Sequence, residues 1–380
     1  MFLDETAEQQ HLRRELRDYF ERLLSPQVRE QIGEPGEGSP MFRDVVRQIG
    51  ADGWLGIGWP REYGGQGRSV LEQFVFFDEV QRAGAPFPFV TINTVGPTIM
   101  AFGTDAQKRE YLPGILSGDI NFAIGYTEPE AGTDLASLRT RAVLDGEEWV
   151  INGNKVFTSG ANQADYIWLA CRTDPDAPRH RGISIIITPT SSPGFKTTPI
   201  VTVGDTVTQA TYYDDVRVPK GNVVGEVNRG WELITKQLNH ERVGLAMREW
   251  CESTDAGDGR PMIEQPWVQL ELARAHAKLE ALRLVNWRMA DAVARDRLGP
   301  ADASAAKVFG VETQIEVCRA FLGILGAAGY LRPGTPGAAL RGEVERAARA
   351  AQVNTFGGGV LEVLREIVAS AGLQMVRQAR

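Results

Sequence analysis

The sequence predicts an α+β chain of three regions, helical, then β-rich, then helical. Apolar residues recur at helical spacing before about residue 120 and again after Gly230. Between Asn121 and Gly225 they fall instead into short runs rich in β-branched and aromatic residues, broken by turn signals. A third observation is size, because 380 residues can bury two or three substantial cores. The regions read as 1–120, 121–228 and 229–380.

Thr6 to Ser25 reads as a helix with Leu12, Leu16, Tyr19, Phe20 and Leu23 on one face. A glycine- and proline-rich acidic link, Gly33 to Pro40, separates it from the next helix. The apolar run Trp54 to Pro60 ends in the turn Tyr63-Gly64-Gly65-Gln66-Gly67. Glu72 to Arg82 reads helical and Pro86-Phe87-Pro88 stops it; Thr104 caps a further helix toward Leu112.

In the β region, Phe122-Ala123-Ile124 breaks into Tyr126 to Asp134, where Pro129 removes a backbone donor and makes an ordered turn. Asp145-Gly146 reads as a hairpin, and its second strand ends at Phe157-Thr158-Ser159-Gly160. Tyr166 to Ala170, Ile183 to Ile187, Ala210 to Tyr213 and Val216 to Pro219 complete a sheet of roughly six to eight strands. Beyond it, Val268, Leu272, Ala275, Leu279 and Leu282 form one helix face. Ala303 to Ala320 and Val360 to Ala369 continue the helical pattern, with Pro333 to Gly337 as a linker.

Composition narrows the function. A net charge of −8 argues against nucleic acid, whose phosphates need clustered cations. No apolar run approaches the ~18 residues of a membrane span, and residues 1–6 lack the pattern of an export signal. Three widely spaced cysteines fit a reducing cytoplasm, and four scattered histidines give no metal-ligand spacing. What remains is a β-sheet rim with two hydroxyl-bearing loops side by side, Thr127 and Thr133 on one and Ser159 on the other. Gly132 allows close backbone approach to a ligand.

Those loops, TEPEAGTD at 127–134 and GNKVFTS at 153–159, resemble the two flavin-binding stretches of the acyl-CoA dehydrogenase family. Phe157 stands where tryptophan is usual and Ser159 where threonine is usual. Trp59 to Gly65, Asp215 to Pro219 and Glu241-Arg242 follow in the family's order, so the resemblance spans nearly the whole chain. It implies an N-terminal helical domain, a middle β-barrel or sandwich and a C-terminal domain like a four-helix bundle. It also implies FAD as cofactor, an acyl-CoA substrate, an electron-transferring flavoprotein as acceptor and oxidation of the thioester to its α,β-enoyl form. By the same resemblance, backbone N–H groups of Ile124, Tyr126 and Thr127 serve the flavin's pyrimidine end, and the Thr127 and Ser159 hydroxyls its ring edge. Thr133 lies near its phosphate, with Gly132 letting the backbone approach closely, and Phe157 covers one ring face.

Most of the family carries its base near the C-terminus, in a Tyr-Glu-Gly-Thr segment. The matching stretch here is Thr355 to Val360, with Gly358 in the glutamate's position. A glycine cannot accept a proton, although its N–H can still polarise a thioester carbonyl. A minority of the family places the base on a helix before an arginine, which here is Glu241, followed by Arg242 on the substrate side. Without the resemblance, Glu241 is one of 49 acidic residues, ion-paired on a helix.

The segment that completes a neighbouring subunit's FAD site, Arg-x-x-Phe-Gly in the family, matches Asp255 to Pro261, with aspartates where arginine and phenylalanine belong. Leu325 to Tyr330 matches the family's dinucleotide contact only in part. This combination resembles one subunit of the actinobacterial α2β2 enzymes that shorten steroid side chains, and implies a second acyl-CoA dehydrogenase-like subunit and a bulky, steroid-like acyl group. The short stretch between Arg242 and Asp255 implies either a missing segment or an opened substrate tunnel. Two other readings compete: a dehydrogenase or oxidase of carrier-bound acyl groups, and a non-catalytic subunit that completes a partner's FAD site.

Overall fold

The computed structural model describes residues 5–32, 39–204, 207–234, 247, 250–251, 254–257, 259–295 and 297–375. They form two compact units: residues 11–202 with 206–237, and residues 1–10, 203–205 and 238–380.

Helix α1 (Ala7–Leu23), which belongs to the first unit from His11 onward, buries Leu12, Leu16 and Phe20, as the periodicity predicts. Helices α2 (Pro26–Ile32), α3 (Pro40–Ala51), α4 (Val70–Ala83), α5 (Gly96–Phe102) and α6 (Asp105–Ser117) follow. Ser69 and Thr104 each close a capping box, with Glu72 and Gln107, and so satisfy N-terminal amides of α4 and α6. A turn of π-helix, Thr91–Val95, presents Thr91 to the sheet, where its Oγ accepts from Phe122 N–H at 2.9 Å.

The sheet has eight strands: β1 (Phe122–Gly125), β2 (Arg141–Asp145), β3 (Glu148–Lys155), β4 (Tyr166–Arg172), β5 (Ile183–Pro189), β6 (Phe195–Val201), β7 (Val207–Pro219) and β8 (Val223–Val224). The order is β6-β7-β3-β2-β4-β5-β8, with β1 parallel to β4. Asp145 pairs with Glu148, so the expected hairpin forms, with its turn at Gly146-Glu147, one residue beyond the expected Asp145-Gly146. Strands β4 and β5 are buried on both faces. Trp168, Ala170, Ile183, Ile185 and Ile187 join the core with α1 and α4, while Ile167, Leu169, Cys171 and Ile186 join a second core with Trp149, Ile151 and Val216. Double burial is why these segments read as unbroken apolar runs.

One expectation needs correction. Ala210–Tyr213 and Val216–Pro219 are not separate strands but parts of the 13-residue β7. The break is a bulge at Asp215 (φ 49°), where the register against β3 shifts. Asn152 spans it with a side-chain amide bond to Asp215 Oδ1 at 2.9 Å.

In the second unit, α7 (Pro266–Ala294) and α8 (Pro300–Leu325) are the long helices, joined by α9 (Glu343–Ala351) and α10 (Leu361–Ile367). Val268, Ala275, Val317, Phe321, Leu325 and Val344 make its core. Among the described residues no helix is long and apolar enough to cross a membrane.

Candidate functional site

The two loops singled out by sequence lie against each other in the first unit. Val156 N–H donates to Thr127 O at 2.8 Å and fixes the junction between them. Glu128 and Ala131 exchange two backbone bonds of 3.1 Å, closing the Pro129-Glu130 turn. On the second loop, Thr158 N–H donates to Gln209 O, and Ser159 Oγ shares a 3.0 Å bond with Thr208 Oγ1.

Between these bonds lies a set of unspent donors. Among the described residues nothing accepts from the N–H or hydroxyl of Thr127, nor from the N–H of Phe157. Phe157 holds a left-handed backbone (φ 58°), rare for a bulky residue, and its ring is 58% exposed. Such strain persists where the surroundings over-determine it, and these neighbouring bonds do so. Gly132 and Thr133 are exposed, and Asp134 beside them pairs with Arg179 at 2.8 Å. The indole N–H of the fully buried Trp168 donates to Tyr126 Oη at 3.1 Å, and burial raises the phenol's pKa while that bond lowers it. Ile124, which pairs with Trp168 across β1 and β4, is only part-buried.

Underneath is a feature that sequence reasoning missed. Lys155, fully buried at the end of β3, lies 2.8 Å from Glu128 Oε1 and donates to Tyr126 O at 3.1 Å. Glu128 also accepts from Arg139 N–H and Thr140 N–H, at 2.7 and 2.8 Å. Burial pushes the Glu128 carboxyl up, but the Lys155 charge and these bonds outweigh it, leaving it below the usual range. Burial pulls the Lys155 ammonium down, against the pull of Glu128. The available signal was strand parity, since Trp149, Ile151 and Lys155 share the inward face of β3.

Gly358 belongs to the other unit. Its φ is 70°, and its N–H has no acceptor among the described residues. Phe356 beside it is 62% exposed. Asp255 turns its carboxylate onto its own loop, accepting from Gly257 N–H and Gly259 N–H at 2.5 and 3.2 Å. Glu241, Arg242 and Asp258 lie outside the described residues.

A helical–β–helical chain whose sheet rim offers unpaired amides, a free hydroxyl and an exposed aromatic ring has the build of a flavin-dependent dehydrogenase. Comparison with known proteins makes this specific. The models of the acyl-CoA dehydrogenase N-terminal, middle and C-terminal domains match residues 6–119, 123–216 and 228–373. The chain belongs to the acyl-CoA dehydrogenase family, whose members are flavin-dependent. It is 51% identical to the acyl-CoA dehydrogenase FadE26 of Mycobacterium tuberculosis, over 100% of both chains. Among solved structures it is similar to the Tcur3481-Tcur3483 steroid ACAD (61% identity, TM-score 0.92, 100% of both chains). It is also similar to the ChsE4-ChsE5 complex from Mycobacterium tuberculosis (52% identity, TM-score 0.91, 100% of both chains).

Proposed function

We propose that this chain is the base-carrying subunit of a heteromeric acyl-CoA dehydrogenase that desaturates a bulky, steroid side-chain-type acyl-CoA. The observation that carries the flavin part is the group of unpaired donors, Thr127 N–H and hydroxyl and Phe157 N–H, beside the exposed Phe157 ring. These residues fit a flavin: amide donors suit its pyrimidine end, the Thr127 and Ser159 hydroxyls its ring edge, and Phe157 its ring face. Ile124 and Tyr126 flank the donors, and Gly132, into whose side-chain space only Thr127 Cγ2 reaches, at 4.0 Å, leaves room toward Thr133 and the phosphate. Bound FAD supplies the acceptor for the hydride leaving the β-carbon.

The chain's own groups do the rest. Glu241 removes the α-proton, with Arg242 beside it on the substrate side. The unpaired N–H of Gly358 polarises the thioester carbonyl and stabilises the enolate charge that develops there. The steroid-like substrate rests on the 61% identity with the solved Tcur3481-Tcur3483 steroid ACAD. The likeness to these two-component assemblies, the steroid ACAD and ChsE4-ChsE5, supports a second acyl-CoA dehydrogenase-like subunit; the α2β2 arrangement and an electron-transferring flavoprotein as acceptor are part of the proposal.

Co-expression with candidate partner subunits, followed by a flavin spectrum and turnover on steroid side-chain and straight-chain acyl-CoA thioesters, tests the reading. A flavin-loaded complex that prefers the bulky thioester is expected. Preference for straight-chain thioesters would remove the steroid assignment.

A further inference from the structure

Lys155 is a fully buried cation that FAD binding, read as above, leaves without a task. Its ion pair with Glu128 is held further by Tyr126 O, which accepts from Lys155, and by the amides of Arg139 and Thr140, which donate to Glu128. Stability alone is a weak reason for burying such a pair, since neutral side chains of similar volume often fold as well or better. The position of the cation offers another reason. Lys155 donates to the carbonyl of the Tyr126–Thr127 peptide, and the N–H of that same peptide is the unpaired Thr127 donor. Among the described residues no peptide bond is cis, so this carbonyl and N–H point in opposite directions. A carbonyl pulled toward a buried ammonium therefore turns the Thr127 N–H away from it, toward the loop surface. It also polarises that N–H, because bonds in series strengthen one another in a low-dielectric interior. The opposite edge of the loop is pinned by Val156 N–H to Thr127 O.

We propose that Lys155, held by Glu128, is a positioning residue for FAD, aiming and strengthening the Thr127 N–H as a donor to the flavin's pyrimidine edge. The proposal rests on the FAD reading above and extends it to the flavin's redox balance. Accepting a hydride adds one negative charge to a flavin, much of it on the pyrimidine edge, so a strengthened donor there favours the reduced form. The hydride comes from the substrate's β-carbon and the α-proton goes to Glu241, so no further reactant is needed.

The test compares the wild-type complex with Lys155→Met/Glu128→Gln, both co-purified with the partner subunit. The glutamine keeps an oxygen for one of the two backbone amides, which donate to separate oxygens of Glu128, while both charges are removed together. The readouts are melting temperature, FAD dissociation and the two-electron midpoint potential. We expect a folded variant that releases FAD about tenfold more readily. Its preference for reduced over oxidised flavin should fall about tenfold, which lowers the potential by about 30 mV. Unchanged potential and FAD affinity in a folded variant would overturn the proposal while leaving the FAD reading intact. A wild-type complex without FAD would overturn both. Should the first variant not fold, Lys155→Gln/Glu128→Gln keeps a neutral donor to Tyr126 O. A smaller drop in potential is then expected, and an unchanged potential again overturns the proposal.

Discussion

Removing a proton next to a thioester needs a carboxylate close to the α-carbon and a donor on the carbonyl oxygen, and the proposed function gives these tasks to Glu241 and Gly358. Glu241→Gln keeps size and polarity but cannot accept a proton. It should bind FAD and substrate normally and lose about three decades in the rate of flavin reduction, within the range for acid–base catalysis. Stopped-flow absorbance reads this directly, and near-normal reduction would remove Glu241 from the role. Gly358 is constrained in another way. Its φ of 70° lies where L-residues pay about 1–2 kcal/mol. Gly358→Ala should therefore lower turnover both by strain and by placing a methyl group where the thioester must approach. Unchanged turnover and substrate affinity would put Gly358 away from the thioester. The resemblance puts Gly358 in the position of the usual base through the flanking Thr355-Phe356-Gly357; that its N–H is unpaired needed the fold.

Between elements, Glu79 on α4 does for the helices what Glu128 does for the loops. It is 1% exposed and accepts from Arg13 at 2.6 Å and Arg17 at 3.1 Å, both on α1, and from Arg82 at 2.7 Å. Burial raises its carboxyl, and the three arginines more than compensate, so its pKa lies below the ordinary value, as that of Glu128 does. The sign follows: both groups contribute stability that is present above the unfolded carboxylate pKa of about 4.3 and is lost as pH falls through the lower folded values. Melting temperature should hold down to mild acidity and then drop. Glu79→Gln should flatten that drop and cost roughly 1–3 kcal/mol at neutral pH, because the buried side chain would turn an amide N–H toward arginines that now donate to its carboxylate. A denaturant titration at two pH values measures both. The elements themselves were largely legible. Helix faces follow from 3.6-residue spacing, and β4 and β5 from apolar runs that two cores explain. The bulge at Asp215 was not, because its bracing comes from Asn152, 63 positions away. Nor was the Glu128–Lys155 pair, whose members stand 27 residues apart and look in sequence like two ordinary charges.

At the scale of the whole molecule, the second unit leaves apolar side chains uncovered. Trp267, Leu270, Leu284 and Val293 on α7 are each about half exposed, and Tyr330 is 62% exposed. Large apolar groups in such number on one helix favour association with another chain. Charge selects which chain. A pyrophosphate shared between subunits needs cations or N–H donors from the second one. Here the corresponding loop carries Asp255, whose carboxylate already occupies the amides of Gly257 and Gly259. Those two amides are taken, and the loop sets two aspartates against one arginine, Arg260, so its balance is negative. A second copy of this chain would therefore complete an FAD site poorly, whereas a related subunit with a cation at that position would complete it. Expressed alone, the chain should purify with little flavin. Co-expressed with such a subunit, it should form a heterotetramer with fewer flavins than subunits. Mass photometry with flavin absorbance per complex decides the matter, and a homotetramer of this chain carrying one FAD per subunit would end the idea. Asp255→Asn offers a graded version: freed of one negative charge, the lone chain should retain more flavin at low ionic strength, with the gain fading as salt screens the remaining repulsion.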